Sequence, residues 1–219
     1  MGPHPRPLSH AVGEGRLQHE QGFRSLQERI RVCRACVGAG YLSEARPIWD
    51  GGRLTDRIMV IGQAPSLKTH NARYHFAGPA GKVLESWFDR AGFPPGYFRS
   101  SVYLTSLTRC FPGKSLGGKG DRVPSGPELD LCRPYLEEEI ALLQPALVLL
   151  VGTLAIEAFL GKVKLVDVVG TLQHRGGLTL LPLPHSSPVS RWLNEPANRA
   201  RVDRAIELLA QCWAELGLA

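Results

Sequence analysis

Four short, almost wholly apolar runs set the strongest limit on what this chain can fold into: Arg57–Ile61 (RIMVI), Ser101–Thr105 (SVYLT), Ala146–Val151 (ALVLLV) and Leu178–Leu183 (LTLLPL). Runs of this length without polar alternation suit strands buried on both faces, which is the condition of a parallel sheet covered by helices. The segments between them have helical spacing instead. Phe23, Leu26 and Ile30 mark one helix, and Val83, Leu84, Trp87 and Phe88 mark another within 80–91. Leu131, Tyr135, Ile140 and Leu143 mark a third over 127–143, with Pro127 suited to its first turn. A short helix is expected from Gly152 through Leu160, and a last one from about Pro196 to Leu216 with Cys212 on its apolar side. Strands alternating with helices predict an α/β protein, a three-layer α/β/α arrangement around a four-stranded parallel sheet.

With 219 residues the chain can bury a full core. Its first sixteen residues are rich in Gly, Pro and His, so residues 1–20 are expected to be a disordered tail and 21–219 a single domain. Gly113–Gly126 reads as a flexible, glycine-rich loop. No apolar run is long enough to span a membrane, and the N-terminus lacks the hydrophobic centre of a secretory signal. The expectation is a monomer in a bacterial or archaeal cytoplasm, near the nucleoid. A formal charge of +6 is mildly basic and does not by itself assign a polyanionic partner.

Four of the five cysteines are placed suggestively. Cys33 and Cys36 stand three apart, while Cys110 and Cys132 flank the glycine-rich loop, each beside an arginine. In the cytoplasm structural disulfides are rare and clustered cysteines more often hold metal. If the four converge they form an all-thiolate centre. That donor set suits an iron–sulfur cluster or structural zinc better than catalytic zinc, which keeps a ligand position open.

Ligands of open α/β sheets bind outside the carboxyl ends of the strands. The places to look are therefore Gly62–Ser66, Thr105–Cys110, Gly152–Ala155 and His185–Pro188. The first is GQAPS, a tight turn followed by Lys68, Thr69, His70 and Asn71, then by Phe76, Gly78 and Gly81. It is not a phosphate loop: Gly78–Lys82 lacks the upstream glycine and has Val83 where Ser or Thr must bind magnesium. No G-x-G-x-x-G follows the first strand, which argues against a dinucleotide site. His185-Ser186-Ser187-Pro188 closes the last strand, and neither serine has the context of a nucleophile elbow.

Taken in order, several segments resemble the uracil-DNA glycosylase superfamily. They are GQAPS with Phe76-Ala77-Gly78-Pro79-Ala80-Gly81, the T-x-x-x-R-C-x-P-G stretch at Thr105–Gly113, Cys132-Arg133-Pro134-Tyr135-Leu136, Val151-Gly152 and the H-S-S-P turn. The likeness runs from about Cys33 to Leu216 and points to the iron–sulfur branches, families 4 and 5. It implies a four-stranded parallel sheet between helices, with a [4Fe–4S] cluster on Cys33, Cys36, Cys110 and Cys132. The implied reaction is hydrolysis of the N-glycosidic bond of uracil or another deaminated base, flipped out of DNA. The implied partner is DNA containing a damaged base.

The resemblance also distributes roles. Phe76 would stack on the base, and the Gln63 and Ala64 backbone would line the pocket. His185 would donate to the base oxygen that gathers charge. Ser66 and Ser187 would grip flanking phosphates, and Val189 would fill the vacated stack. The chain departs from the family in three places. Gln63, Thr69 and His70 replace family 4 acids, leaving Asn71 or His70 as the local candidates for orienting water. Ser106 stands where family 4 has a base-reading asparagine, which implies altered or broader selectivity. H-S-S replaces H-P-S in the last motif. The alternatives are structural zinc at the cysteines, and a relative that binds lesions silently or traps abasic sites covalently.

Overall fold

The computed structural model describes residues 8–118, 120–187 and 190–217. Helix α1 (Leu8–Val32) runs into the single turn α2 (Ala35–Gly38). Then come β1 (Ile58–Gly62), α3 (Leu67–Ala72), α4 (Pro79–Arg90), α5 (Tyr97–Ser100), β2 (Val102–Ser106) and α6 (Gly126–Leu143). The chain continues with β3 (Leu147–Val151), α7 (Thr153–Leu160), α8 (Leu165–Val168), β4 (Gln173–Arg175) and β5 (Leu178–Leu183). A 3-10 turn (Arg191–Asn194) and α9 (Pro196–Glu215) close it.

The sheet has five strands in the order β2-β1-β3-β5-β4. β2, β1, β3 and β5 are mutually parallel, as their apolar sequences require. The expected count of four is corrected by β4, which pairs antiparallel with β5 at the edge. Its sequence, Gln-His-Arg, has no apolar signature because an exposed edge strand needs none. Gly176 and Gly177, both at positive φ, make the two-residue hairpin turn that returns the chain.

Within each parallel strand, successive side chains enter opposite cores. Ile58, Val60, Val102, Leu104, Leu147 and Leu149 pack with Leu84, Trp87 and Phe88 of α4 and Val202, Ile206 and Leu209 of α9. Met59, Ile61, Tyr103, Val148 and Leu150 pack on the other face with Phe23 of α1, Leu136 and Leu143 of α6 and Ile156 of α7. Both faces are dry, so polar backbone is left for ligands only at the strand ends. Pairing of Gly62 with Ser106 and of Val151 with Leu183 brings those ends to one level.

Two expectations fail in the connecting segments. Residues 8–20 continue α1, where a disordered tail was expected. Once Phe23, Leu26 and Ile30 are buried, extending the helix backward needs no new nucleus. The glycine-rich loop, in turn, closes on itself as a hairpin through a Lys114–Asp121 bridge. Ser115 N–H donates to Gly120 and Arg122 N–H to Gly113, at 2.9 and 3.0 Å. Among the described residues no helix is long and apolar enough to cross a membrane.

Candidate active site and cysteine centre

β1 is flanked by β2 on one side and β3 on the other, so the chain reverses direction across the sheet at its carboxyl end. Such a reversal opens a crevice where connecting segments diverge. A cavity of about 700 Å³ lies there. It gathers Gln63, Ala64, Ser66, Phe76, Ser106, His185 and Ser187 from the turns after β1, β2 and β5.

Phe76 is held in place by its backbone. Its φ is +53°, a left-handed conformation that costs a bulky side chain energy. Arg99 locks it, donating to the carbonyls of His75 and Phe76 at 2.9 and 2.8 Å. Two glycines make the room. A Cβ on Gly62 would stand 2.9 Å from the Phe76 ring, and one on Gly81 only 1.8 Å from the Phe76 carbonyl oxygen. The ring therefore lies directly over the end of β1, as a fixed apolar wall of the cavity.

His185 follows β5 at the cavity mouth, open to solvent on one side. The neighbouring protein nevertheless desolvates its ring and lowers its pKa. Its Nδ1 accepts the Ser187 backbone N–H at 3.1 Å. A neutral imidazole with Nδ1 accepting carries its proton on Nε2, so the free nitrogen is a donor. Gly152 lies beside this ring at φ +90°, a backbone conformation that favours glycine, and a Cβ there would make only ordinary contact with His185 Cδ2 at 3.6 Å.

Other expected side chains are less available. Ser66 caps α3, its Oγ accepting Thr69 N–H at 3.2 Å. Ser106 donates its hydroxyl proton to the Thr108 carbonyl at 2.7 Å, leaving only lone pairs. His70 and Asn71 do not line the cavity. His70 turns away on α3 toward Phe111, with a ring separation of 5.7 Å, and toward Arg46. Burial and Arg46 lower its pKa. The helical phase of α3 directs Thr69 inward and leaves Asn71 exposed. Val189 lies outside the described residues.

Several lining residues carried no sequence signal. His75 is 4% exposed and its pKa is pushed down to about 3, by burial first and by Arg109 second. Asp121 arrives from the hairpin and is the one carboxylate among the described lining residues. Ser186 is fully buried with an unpartnered hydroxyl at the cavity wall.

Behind the β2 end lies a buried polar network. Arg109, 1% exposed, contacts the Glu139 carboxylate at 2.6 Å and donates to the Ser106 carbonyl. Tyr103 and Thr105 hydroxyls donate to Glu139, each at 3.0 Å. Burial pushes the Glu139 carboxyl up, opposed by the Arg109 guanidinium and these two donors.

The adjacent corner holds the four expected cysteines. Cys33 and Cys36 come from the α1–α2 junction, Cys110 from the end of β2 and Cys132 from α6. Their thiols feel one another. Burial and neighbouring cysteines push Cys36 to about 11 and Cys110 to about 12. Cys132 is raised too, mainly by burial, with the Arg109 backbone and guanidinium favouring its thiolate. Tyr135 is pushed up to about 12, by a side-chain hydrogen bond with Cys33 first and by burial second. Cys36, Cys110 and Cys132, each raised by burial first and by neighbouring cysteines as well, are donors suited to a cationic centre, which relieves that opposition. No three His, Cys, Asp or Glu among the described residues are gathered as around a single metal ion.

A family model, the uracil DNA glycosylase superfamily, matches residues 49–216. The chain belongs to that superfamily. Among similar proteins, a type-4 uracil-DNA glycosylase of Pyrobaculum aerophilum is 28% identical over 138 residues, covering 63% of this chain and 64% of the relative. The chain thus spans just under two thirds of that relative. A type-4 enzyme of Thermotoga maritima is 25% identical over 175 residues, covering 78% of this chain and 85% of the relative. A type-5 uracil-DNA glycosylase of Pyrobaculum aerophilum is 27% identical over 186 residues, with 78% and 77% covered.

Proposed function

We propose that this superfamily member is a DNA glycosylase that hydrolyses the N-glycosidic bond of uracil or another deaminated base, leaving an abasic site. The observation that carries the reading is the donor geometry of His185. Its ring is neutral, its Nδ1 is occupied by Ser187 N–H, and its Nε2–H is free in a cavity walled by Phe76.

The chemistry explains why such parts occur together. As the glycosidic bond stretches, the sugar approaches an oxocarbenium ion and the base departs as an anion. A fixed N–H donor at the base oxygen stabilises that charge where it develops, with no reorganisation cost. Phe76 stacks on the flipped base, since an aromatic face held rigid binds any base without choosing among them. The Gln63 and Ala64 backbone borders the base edge, and Ser66 and Ser187 contact phosphates from the β1 and β5 sides. Ser106 offers only acceptor lone pairs, so it cannot enforce the paired donor–acceptor reading that an asparagine amide gives. Selectivity wider than uracil alone follows.

Cys33, Cys36, Cys110 and Cys132 would hold the [4Fe–4S] cluster, whose contribution here is to clamp the α1–α2 junction onto the β2 end and α6. Residues 21–219 together with the helical residues ahead of them act as one domain, monomeric and cytoplasmic.

The test is an oligonucleotide panel carrying uracil, hypoxanthine, xanthine or a preformed abasic site, with alkaline cleavage of the product. Excision of at least one deaminated base is expected. Binding without excision of any base, or a denaturation-resistant protein–DNA band, would replace the glycosylase reading with lesion sensing or covalent trapping.

A further inference from the structure

The reaction needs something the turn after β1 does not supply. A water must be held beneath the sugar and must lose a proton as its oxygen bonds to carbon. Gln63, Thr69 and Asn71 are neutral, and His70 faces away from the cavity. An amide can hold a water by hydrogen bonding but has no useful basicity.

We infer that Asp121 is the residue that orients and deprotonates this water, an inference that rests on the glycosylase reading above. Among the described residues lining the cavity it is the one carboxylate, and the loop that carries it is built rather than loose. The hairpin bridge pairs it with Lys114. Its Oδ2 accepts Leu67 N–H at 3.2 Å, which ties the hairpin to the segment just after the GQAPS turn. Its Oδ1 accepts from Lys114 Nζ at 2.8 Å, which fixes the side chain's direction. Each oxygen keeps a further lone pair.

Electrostatics favour the same role. A carboxylate at the mouth of a DNA-binding cavity repels phosphates, so it weakens binding unless it acts on the reaction. What it favours is positive charge, and the oxocarbenium sugar is the one positive centre that develops. In the step, the water oxygen forms a bond to C1′ while the C1′–N bond breaks and its electron pair leaves with the base. The water's proton passes to Asp121, and the base anion is held by His185 Nε2–H until solvent protonates it. Because the sugar is already cationic, a weak base suffices.

The experiment is single-turnover excision from the most reactive deaminated-base oligonucleotide, with enzyme saturating. Dissociation constants are measured in parallel on a tetrahydrofuran abasic analogue. Asp121→Asn is expected to lower the rate roughly a hundredfold while binding stays equal or tightens. Asp203→Asn, at an exposed carboxylate paired with Arg90 outside the cavity, should stay within about threefold of wild type, below the tenfold scale of one lost interaction. Asp121→Asn within that same margin would overturn the assignment and leave the glycosylase reading intact. If Asp121→Asn also loses binding, Asp121→Gly with added sodium formate decides. Formate acceleration of this variant, absent in wild type, supports a missing carboxylate, and no acceleration overturns it. Wild type inactive on every base of the panel would refute both readings together.

Discussion

Two strand ends that border the same cavity are built in opposite ways. At the β2 end, Ser106 is anchored by Arg109, which is itself held by Glu139 in a network with Tyr103 and Thr105, all buried. At the β5 end, His185 is open to solvent, and its Nδ1 accepts the Ser187 backbone N–H. The difference separates what must not move from what must meet a substrate. A base-facing wall is useful when rigid, and the network next to the cysteines makes it so. A donor aimed at developing charge needs its tautomer set and one nitrogen left free, and a single backbone N–H achieves both.

The contrast predicts where damage falls. The largest expected effect is at the rigid end. Glu139→Ala leaves Arg109 charged, buried and unpaired, and should cost about 3–5 kcal/mol in urea unfolding. A loss under 1 kcal/mol would show that the β2 end is not held by this network. Next comes the wall: Phe76→Ala should weaken binding of lesion-containing DNA by about 1–3 kcal/mol, the scale of one base–aromatic contact, with little change in thermal stability. A large stability loss instead would make Phe76 core rather than ligand surface.

The third effect is pH-dependent. His75 is neutral in the folded protein, its pKa pushed down to about 3 by burial, while an unfolded histidine titrates near 6.5. The unfolded state therefore binds the extra proton between those values, so stability rises with pH across the window and is complete above about 6.5. From pH 7 to pH 5 the unfolding free energy should fall by about 2 kcal/mol from this group. His75→Gln should flatten that slope, and an unchanged slope would assign the acid sensitivity elsewhere.

How much was legible followed from how each element is stabilised. The four parallel strands announced themselves because burial on both faces demands unbroken apolar sequence. β4 did not, since Gln173–Arg175 is an exposed edge with polar side chains. Helical residues 8–20 were hidden by local composition, because their order derives from the packed turns that follow. In the site, residues adjacent to strand ends in sequence, His185 and the Gln63–Ala64 turn, line the cavity as the strand-end rule expects, whereas Phe76, beyond α3, was reached only through the family resemblance. Asp121 was missed because its place depends on a hairpin closing across a glycine-rich stretch that carries no periodicity. His70 and Asn71 were misplaced because a helix of six residues, α3, turns them away while presenting Thr69. The grouping of Cys33, Cys36, Cys110 and Cys132 came from the family resemblance, because strand–helix order alone does not say which helices meet beside the β2 end.

The account's centre is a neutral His185 donating from Nε2 to a departing base. Single-turnover excision by wild type and His185→Ala on the same uracil oligonucleotide, with binding measured alongside, tests it most directly. The prediction is a loss of roughly a hundredfold to a thousandfold in rate with affinity within a few-fold. A variant that excises at the wild-type rate would contradict it.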